Sequence, residues 1–389
     1  MIAIAAIGNI VFFLVTQIIL DRIRPIIDLS NNIPIFVHNK LNYFKGGLNN
    51  PMPNENEHNI RLTSVEITNL WLSYSNDSMA ICVLKYFLAK VQDTEVRPII
   101  EYALKLSTNH VERVTKIFNK ENFPIPEGFK EEDVNVTAPP LYSDTFYLIY
   151  LQNMSRAGLI AYSLAVPLMA RSDVLDFYSA CLTSSMELNI NASKVMLSKG
   201  IYSRAPYTSI PDKVEFIKKQ NYLEGFFKFG DTRPLDVIEI TAIFVCTMTN
   251  VLGKILLTGF SQVAKLKEVR EFMYRGTRIA QKHIEVFGSL LQKDNLSSPA
   301  TWDSEVTNST VSPFSDKLMM YHTRVLSLAS IANYGTSIAA SSRHDITVMY
   351  ARLTMEFGLF GDDGSNIMIE NEWMEQPPLA DNRKELARV

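Results

Sequence analysis

The sequence predicts an all-α protein: two tandem ferritin-like four-helix bundles, each with a long crossover between its second and third helices, behind an N-terminal apolar helix. Three observations predict it. Apolar residues recur at spacings of three and four through long segments, and strand-like alternation is scarce. Glu66-Ile67-Thr68 returns as Glu239-Ile240-Thr241, 173 residues on, and a nearly constant offset then persists for about 140 residues. In each copy a polar, proline-bearing stretch divides the helical segments into two pairs: "ENFPIPEGFKEEDVNVTAPPLY" (121–142) and "DNLSSPATWDSEVTNSTVSPF" (294–314).

The chain opens with "MIAIAAIGNIVFFLVTQIIL" (1–20), which contains no charged side chain. About 20 helical residues span the hydrocarbon core of a bilayer. The run lacks the basic start of a secretory signal, and Arg22, Arg24, Lys40 and Lys45 all follow it. Residues 1–24 are therefore expected to form an apolar helix able to anchor the protein, with the rest of the chain on the cytoplasmic side. The alternative is a mis-assigned start codon. Residues 25–60, rich in Asn and Pro, read as a linker.

The repeat then sets the domains: bundle one over 61–209, a linker with a short helix over 210–234, and bundle two over 235–385. His110 and Glu112 recur as His283 and Glu285 at the offset of 173, as do Asn122 as Asn295 and Pro126 as Pro299. Past the crossover the offset is 172. Ser143-Asp144 matches Ser315-Asp316, Tyr162 matches Tyr334, and Arg171 and Asp173 match Arg343 and Asp345.

Four helices are expected per copy. In copy one, Thr63-Ser64-Val65-Glu66 is a capping box that starts the first, and Asp236 to Glu239 is its counterpart in copy two. Asp93 opens the second helix. Ser143 opens the third, which is expected to continue to Ala170. The fourth ends at Gly200, a residue suited to the left-handed position after a helix. The turns near Gln92-Asp93 and Arg171-Ser172 are tight, so they join antiparallel neighbours. The crossover of about 22 residues can stretch about 70 Å, more than the roughly 40 Å of a 27-residue helix. A simple up-down-up-down bundle needs only about 2–8 residues there. One long crossover is the ferritin-like arrangement.

Composition bounds the function. At 389 residues, with 47% apolar and 20% charged side chains, the chain is a folded protein of two or three domains. A net charge of −3 without a long basic run excludes a nucleic-acid footprint. Cys82, Cys181 and Cys246 are scattered through apolar segments, which excludes a disulfide framework or zinc knuckle and suits a reducing compartment.

A ferritin-like bundle raises the question of a di-metal carboxylate centre, which needs a Glu from two helices and a Glu-x-x-His from the other two. The residues three before His110 and His283 are Ser107 and Ala280, and neither replaces a Glu. Glu66 and Glu239 are explained as capping residues. His110 and His283 are thus the weak metal candidates; the expected fate of each is a partly buried imidazole hydrogen-bonded to a carboxylate. Neither chelates with its neighbouring Glu, because residues two apart on a helix point about 200° apart. No catalytic residue and no cofactor is assigned. "GDDGSN" (361–366) lacks the ligand spacing of an EF-hand and reads as a turn or helix kink. Trp373 in "EWMEQPP" reads as a packed side chain beyond the last helix, with a docking tail as the alternative. The abundant Met, Phe and Tyr read as core, with an apolar ligand site as the rival.

Five segments carry a resemblance: "LTSVEITNLWLSYSNDSMAICVLKYFL", "SQVAKLKEVREFM", "FSDKLMMYH", "NYGTSIAAS" and "WMEQPP". They resemble a family of unknown function found mainly in spore-forming bacteria, whose members carry two ferritin-like four-helix units in tandem. The resemblance covers about residues 60–385. It implies the doubled bundle and a stress or sporulation setting, and brings no established activity, substrate or metal. The sequence thus points to a non-enzymatic structural or interaction protein. The alternative is a metal-binding or oxidoreductase bundle using His110, His283 and nearby carboxylates. Partners are not identified: nucleic acid is not expected, membrane attachment through residues 1–20 is, and a homo-oligomer is left open.

Overall fold

The computed structural model describes residues 60–225 and 232–387. The apolar helix expected over 1–24 lies outside the described residues. Among them the chain forms α-helices and short 3₁₀ turns, with no β-strand. The first repeat contains α1 (Ser64–Lys90), α2 (Arg97–Lys120), α3 (Asp144–Ala165) and α4 (Ser172–Ser198). The second contains α5 (Val237–Val263), α6 (Lys267–Lys293), α7 (Asp316–Ala340) and α8 (His344–Glu370), followed by a single turn, α9 (Arg383–Leu386). Over the described residues the chain is all-helical and twofold repeated.

Helix boundaries follow local chemistry. Thr63 and Glu66 close a capping box at α1, and Asp236 and Glu239 close the same box at α5. Ser143 and Ser315 cap α3 and α7 by accepting from the backbone N–H three residues on. Gly200, at φ +71°, ends α4. Two boundaries differ from expectation. α2 begins at Arg97 rather than at Asp93; the Asp93 carboxylate accepts from the N–H groups of Glu95 and Val96 in a turn that precedes the helix. α3 ends at Ala165 and passes into a 3₁₀ turn at Val166–Leu168, because Pro167 has no N–H to continue the α ladder. "GDDGSN" lies inside the uninterrupted helix α8, so the expected turn or kink is absent there.

Buried side chains tie each repeat together in the same way. Glu66 is fully buried. One of its oxygens accepts from Thr63, and the other accepts from the N–H groups of Ala170 and Arg171 in the α3–α4 turn. In repeat two Glu239 accepts likewise from Asp236 N–H and Arg343 N–H, and also takes a two-pronged pair from Arg233. At the other end Asp144 accepts from the N–H groups of Gln92 and Asp93, and Asp316 from those of Lys265 and Leu266. Each hairpin turn is thus held by a carboxylate at the start of a helix from the opposite hairpin.

The crossovers join the repeats with twofold pseudosymmetry. Asn135 N–H donates to Pro313 O, and Thr307 N–H donates to Leu141 O. Ser315 N–H donates to Asp133 O, and Ser143 N–H donates to Glu305 O. The Ser315 hydroxyl donates to Asp133 Oδ1, and the Ser143 hydroxyl to the Glu305 carboxylate. Isolated bridges pair Val134 with Phe314 and Tyr142 with Val306. Every member of these pairs maps onto its counterpart at the offset of 172, which is the signature of an isologous contact. The main hydrophobic core accordingly runs through both repeats, from Phe87 and Tyr147 to Phe260 and Tyr350. A smaller cluster around Leu70, Val114, Phe118 and Phe177 closes the far end of repeat one.

α5 is long and apolar enough to cross a membrane, but 67% of its most apolar stretch is buried among its neighbours. Residues along it from Ile240 to Val263 belong to the shared core. After α8, Trp373 packs against that core, and the Glu375 carboxylate accepts from the N–H groups of Glu127 and Gly128 in the first crossover. The expected packed Trp is present.

Candidate functional site

The interior of each repeat carries one histidine halfway along its second helix, facing the first, third and fourth helices. In repeat one α1 contributes Asp77, α2 contributes Ser107 and His110, α3 contributes Tyr162, and α4 contributes Phe177 and Tyr178. His110 and Asp77 are both buried, and His110 Nδ1 lies 3.2 Å from Asp77 Oδ2. A carboxylate only accepts, so Nδ1 donates. Phe177 and Tyr162 stand edge-on to the imidazole, at 5.7 and 6.1 Å between ring centres. The Tyr178 hydroxyl meets that of Ser73 at 3.1 Å.

This pair belongs to a polar layer. Ser107, Ser155 and Ser185 are buried at the same level, between the main core and the small far-end cluster. Ser155 accepts from Asn189 and donates to Gln152 O, whereas the Ser107 hydroxyl has no partner. Small polar side chains leave no apolar surface to join the two clusters, which is why the core of repeat one is divided.

Repeat two keeps the histidine, the Tyr162 counterpart Tyr334 and the Ser155 counterpart Ser327, and changes four positions around them. Asp77 becomes Asn250, Ser107 becomes Ala280, Ser184 becomes Glu356 and Ser185 becomes Phe357. Phe357 fills the layer and joins the core. A directed hydrogen-bond chain results. Asn250 Nδ2 donates to the Tyr334 hydroxyl at 2.7 Å, Tyr334 donates to His283 Nδ1 at 2.9 Å, and His283 Nε2 donates to Glu356 Oε2 at 3.2 Å. Burial holds His283 below its ordinary pKa despite the adjacent Glu356. Burial alone would raise Glu356, but hydrogen bonds from Lys282 and His283 outweigh it and hold the carboxyl below its usual range. A neutral imidazole with the proton on Nε2 therefore faces an ionised carboxylate. The two histidines, equivalent in sequence, use Nδ1 in opposite ways: it donates in His110 and accepts in His283.

A third histidine is at the contact between repeats. His322 is the counterpart of Tyr150, and its Nε2 lies 3.2 Å from the Tyr150 hydroxyl. Burial drives its pKa down to about 3, so the ring is neutral. Its Nδ1 has no partner.

His110 and His283 thus lie where their helical positions place them, and each meets one carboxylate. Among the described residues no group of three or more His, Cys, Asp or Glu side chains converges. The three cysteines are free and buried; burial pushes the Cys82 thiol up to about 12. The interior cavity of repeat two, between Asn250, Ser327, Ser330 and Phe357, has a volume of about 20 Å³, enough for a water molecule and far below a ligand site. A larger hollow of about 530 Å³ is an open groove on the outer face of α2, beside Glu101, Lys105 and Glu112. The sequence reading missed Asp77, Asn250 and His322. The signal for the first two was an Asp and an Asn at the repeat offset of 173, each on the predicted first helix of its copy.

Among the described residues, fold and interior define a class: an all-helical, two-repeat protein in which His110 and His283, at equivalent positions, each meet a carboxylate from another helix. A family model described as "Protein of unknown function (DUF3231)" matches residues 51–214 and again 224–386, and the chain belongs to that family. No curated protein matches the chain. Among solved structures it is similar to a protein of Bacillus halodurans C-125 provisionally designated a spore coat protein. That likeness has 16% identity and a TM-score of 0.36, and covers 39% of this chain and 98% of that one.

Proposed function

We propose that both repeats are ferritin-like bundles and that the chain is a structural or interaction protein rather than an enzyme. The ferritin-like reading is supported by the long connection between the second and third helix of each repeat. The single observation that carries the non-enzymatic reading is the closure of the interior histidines. His283 spends both ring nitrogens on Tyr334 and Glu356, and its counterpart His110 spends Nδ1 on Asp77. An interaction role is supported by the outer face of the α3–α4 hairpin, where Ile160, Leu164, Leu168, Met186 and Ile190 are exposed.

Metal analysis of the purified protein tests this reading. Less than one equivalent of bound metal after loading with iron or manganese is expected. Stoichiometric metal lost on His110→Ala or His283→Ala would defeat it. One observation favours that rival: the buried Asp77–His110 pair, with the unpartnered Ser107 hydroxyl in the same layer.

The apolar run 1–20 supports a further part of the proposal, attachment to a membrane with the remaining chain in the cytoplasm. Deleting residues 1–24 is expected to move the protein from the membrane to the soluble fraction. An unchanged distribution would remove the anchor. The family resemblance supports expression in stressed or sporulating cells.

A further inference from the structure

The contact between the repeats is symmetric in its backbone and asymmetric in its side chains. Position 86 of repeat one corresponds to 259 of repeat two, and position 142 to 314. Pseudosymmetry makes two equivalent contacts, 86 with 314 and 259 with 142. The first is Tyr86 against Phe314, edge to face with ring centres 5.2 Å apart. The second is Gly259 against Tyr142, and here the ring lies where a side chain would be. A Cβ on Gly259 would meet the Tyr142 hydroxyl at 2.4 Å and its ring carbons at 2.6 Å. The close approach lets the buried Tyr142 hydroxyl donate to Leu256 O at 2.7 Å. On the other side the Tyr86 hydroxyl turns inward, donating to Pro139 O and accepting from Leu141 N–H in its own crossover.

The axis carries a second asymmetric pair. Tyr150 and His322 are equivalent positions that meet each other, hydroxyl to Nε2. Each also packs on the equivalent Phe of its own repeat, Tyr150 on Phe87 and His322 on Phe260.

We infer that each repeat presents a docking surface whose partner is the other repeat and not a second copy of itself. Two copies of repeat one would set Tyr142 against Tyr86, where the space that Gly259 leaves is filled and the Leu256 carbonyl position is closed to the hydroxyl. They would also place Tyr150 against Tyr150. Two copies of repeat two would set Phe314 against Gly259, leaving a void, and His322 against His322. A knob meets a hole only in the mixed pair, so rejection of like partners is built in beside attraction of the unlike one. The protein is in this sense a heterodimer on one chain, and the connection through Tyr207, Ile210 and Phe216, which are 85%, 92% and 83% exposed, is a tether.

The test uses the full-length chain with a protease site placed between Tyr207 and Phe216 and cut after folding. Native mass spectrometry and size exclusion are expected to find the halves together, one to one, at low micromolar concentration. Separation would overturn the docking surface. In the nicked protein Gly259→Tyr is expected to weaken association at least about tenfold. Adding Tyr142→Phe makes both contacts Tyr-on-Phe, and is expected to restore it. Unweakened association, or no restoration, would overturn the knob-and-hole fit. Should Gly259→Tyr alone not fold, the doubly substituted protein decides: folding and pairing support the fit, and failure overturns it. Finally, nicked protein refolded from urea is expected to yield mixed pairs only, whereas a statistical mixture with like pairs would overturn the specificity.

Discussion

Glu66 shows how one side chain does two jobs. It closes the start of α1 and holds the α3–α4 turn through the N–H groups of Ala170 and Arg171. Glu66→Gln replaces one acceptor oxygen by a donor in a fully buried site. It is expected to cost about 2–3 kcal/mol in urea unfolding at pH 7. Burial works against the charge, but hydrogen bonds from Thr63, Arg171 and Ala170 outweigh it and hold the Glu66 carboxyl below its ordinary pKa. Its contribution is therefore present above the unfolded value of 4.5 and fades as pH falls through the folded one. The deficit of the Gln variant should shrink in acid; a deficit constant with pH would contradict this. His322 works on a different interval. Below 6.5 the unfolded chain gains a proton that the buried ring refuses until about pH 3. Stability is thus lost at about 1.4 kcal/mol per pH unit as pH falls below 6.5. His322→Phe removes that slope, and urea midpoints measured between pH 6.5 and 4 check it; parallel curves for the two proteins would refute the assignment.

At the scale of elements the crossovers carry the most information. Each gives its short 3₁₀ turn to the capping serine of the other repeat: Glu131–Asp133 to Ser315, and Asp303–Glu305 to Ser143. A double-mutant cycle on Asp133→Ala and Ser315→Ala is expected to give a coupling of about 1 kcal/mol, while Asp133 with the equally capping Ser143 gives none. Equal coupling to both serines would disprove the exchange. Sequence reading reached most helices because capping boxes, Gly200 and the apolar spacing are local signals. It placed the start of α2 too early, because Asp93 caps a turn as readily as a helix, and ran α3 past Pro167. It reached His110 and His283 but not all of their partners, because Asp77, Tyr334 and Glu356 come from other helices. It read Ser143-Asp144 as a helix start and not as the tie to Gln92 and Asp93. That contact exists only once the two hairpins are side by side.

For the whole molecule, the question is whether two repeats make two folding units. The repeats are separable in sequence, and the family model matches each. The core is not separable in the same way. Tyr86 packs on Phe314, Tyr142 lies against Gly259 and donates to Leu256 O, and the crossovers exchange backbone hydrogen bonds. Removing either repeat would expose these fully buried aromatic rings and leave the Tyr142 hydroxyl without its acceptor. Cooperativity should therefore extend over both. Calorimetry is expected to record one transition whose calorimetric and van't Hoff enthalpies agree. Leu353→Ala empties a fully buried position deep in repeat two, at a cost of about 3 kcal/mol. It should lower that single transition as a whole, including the signal of Trp71 in repeat one, which packs edge-on against Phe123 at 6.5 Å. If Trp71 kept its original midpoint while repeat two melted earlier, the shared core would be a contact between two independently stable repeats, and the carboxylate ties within each repeat would then be the main source of stability.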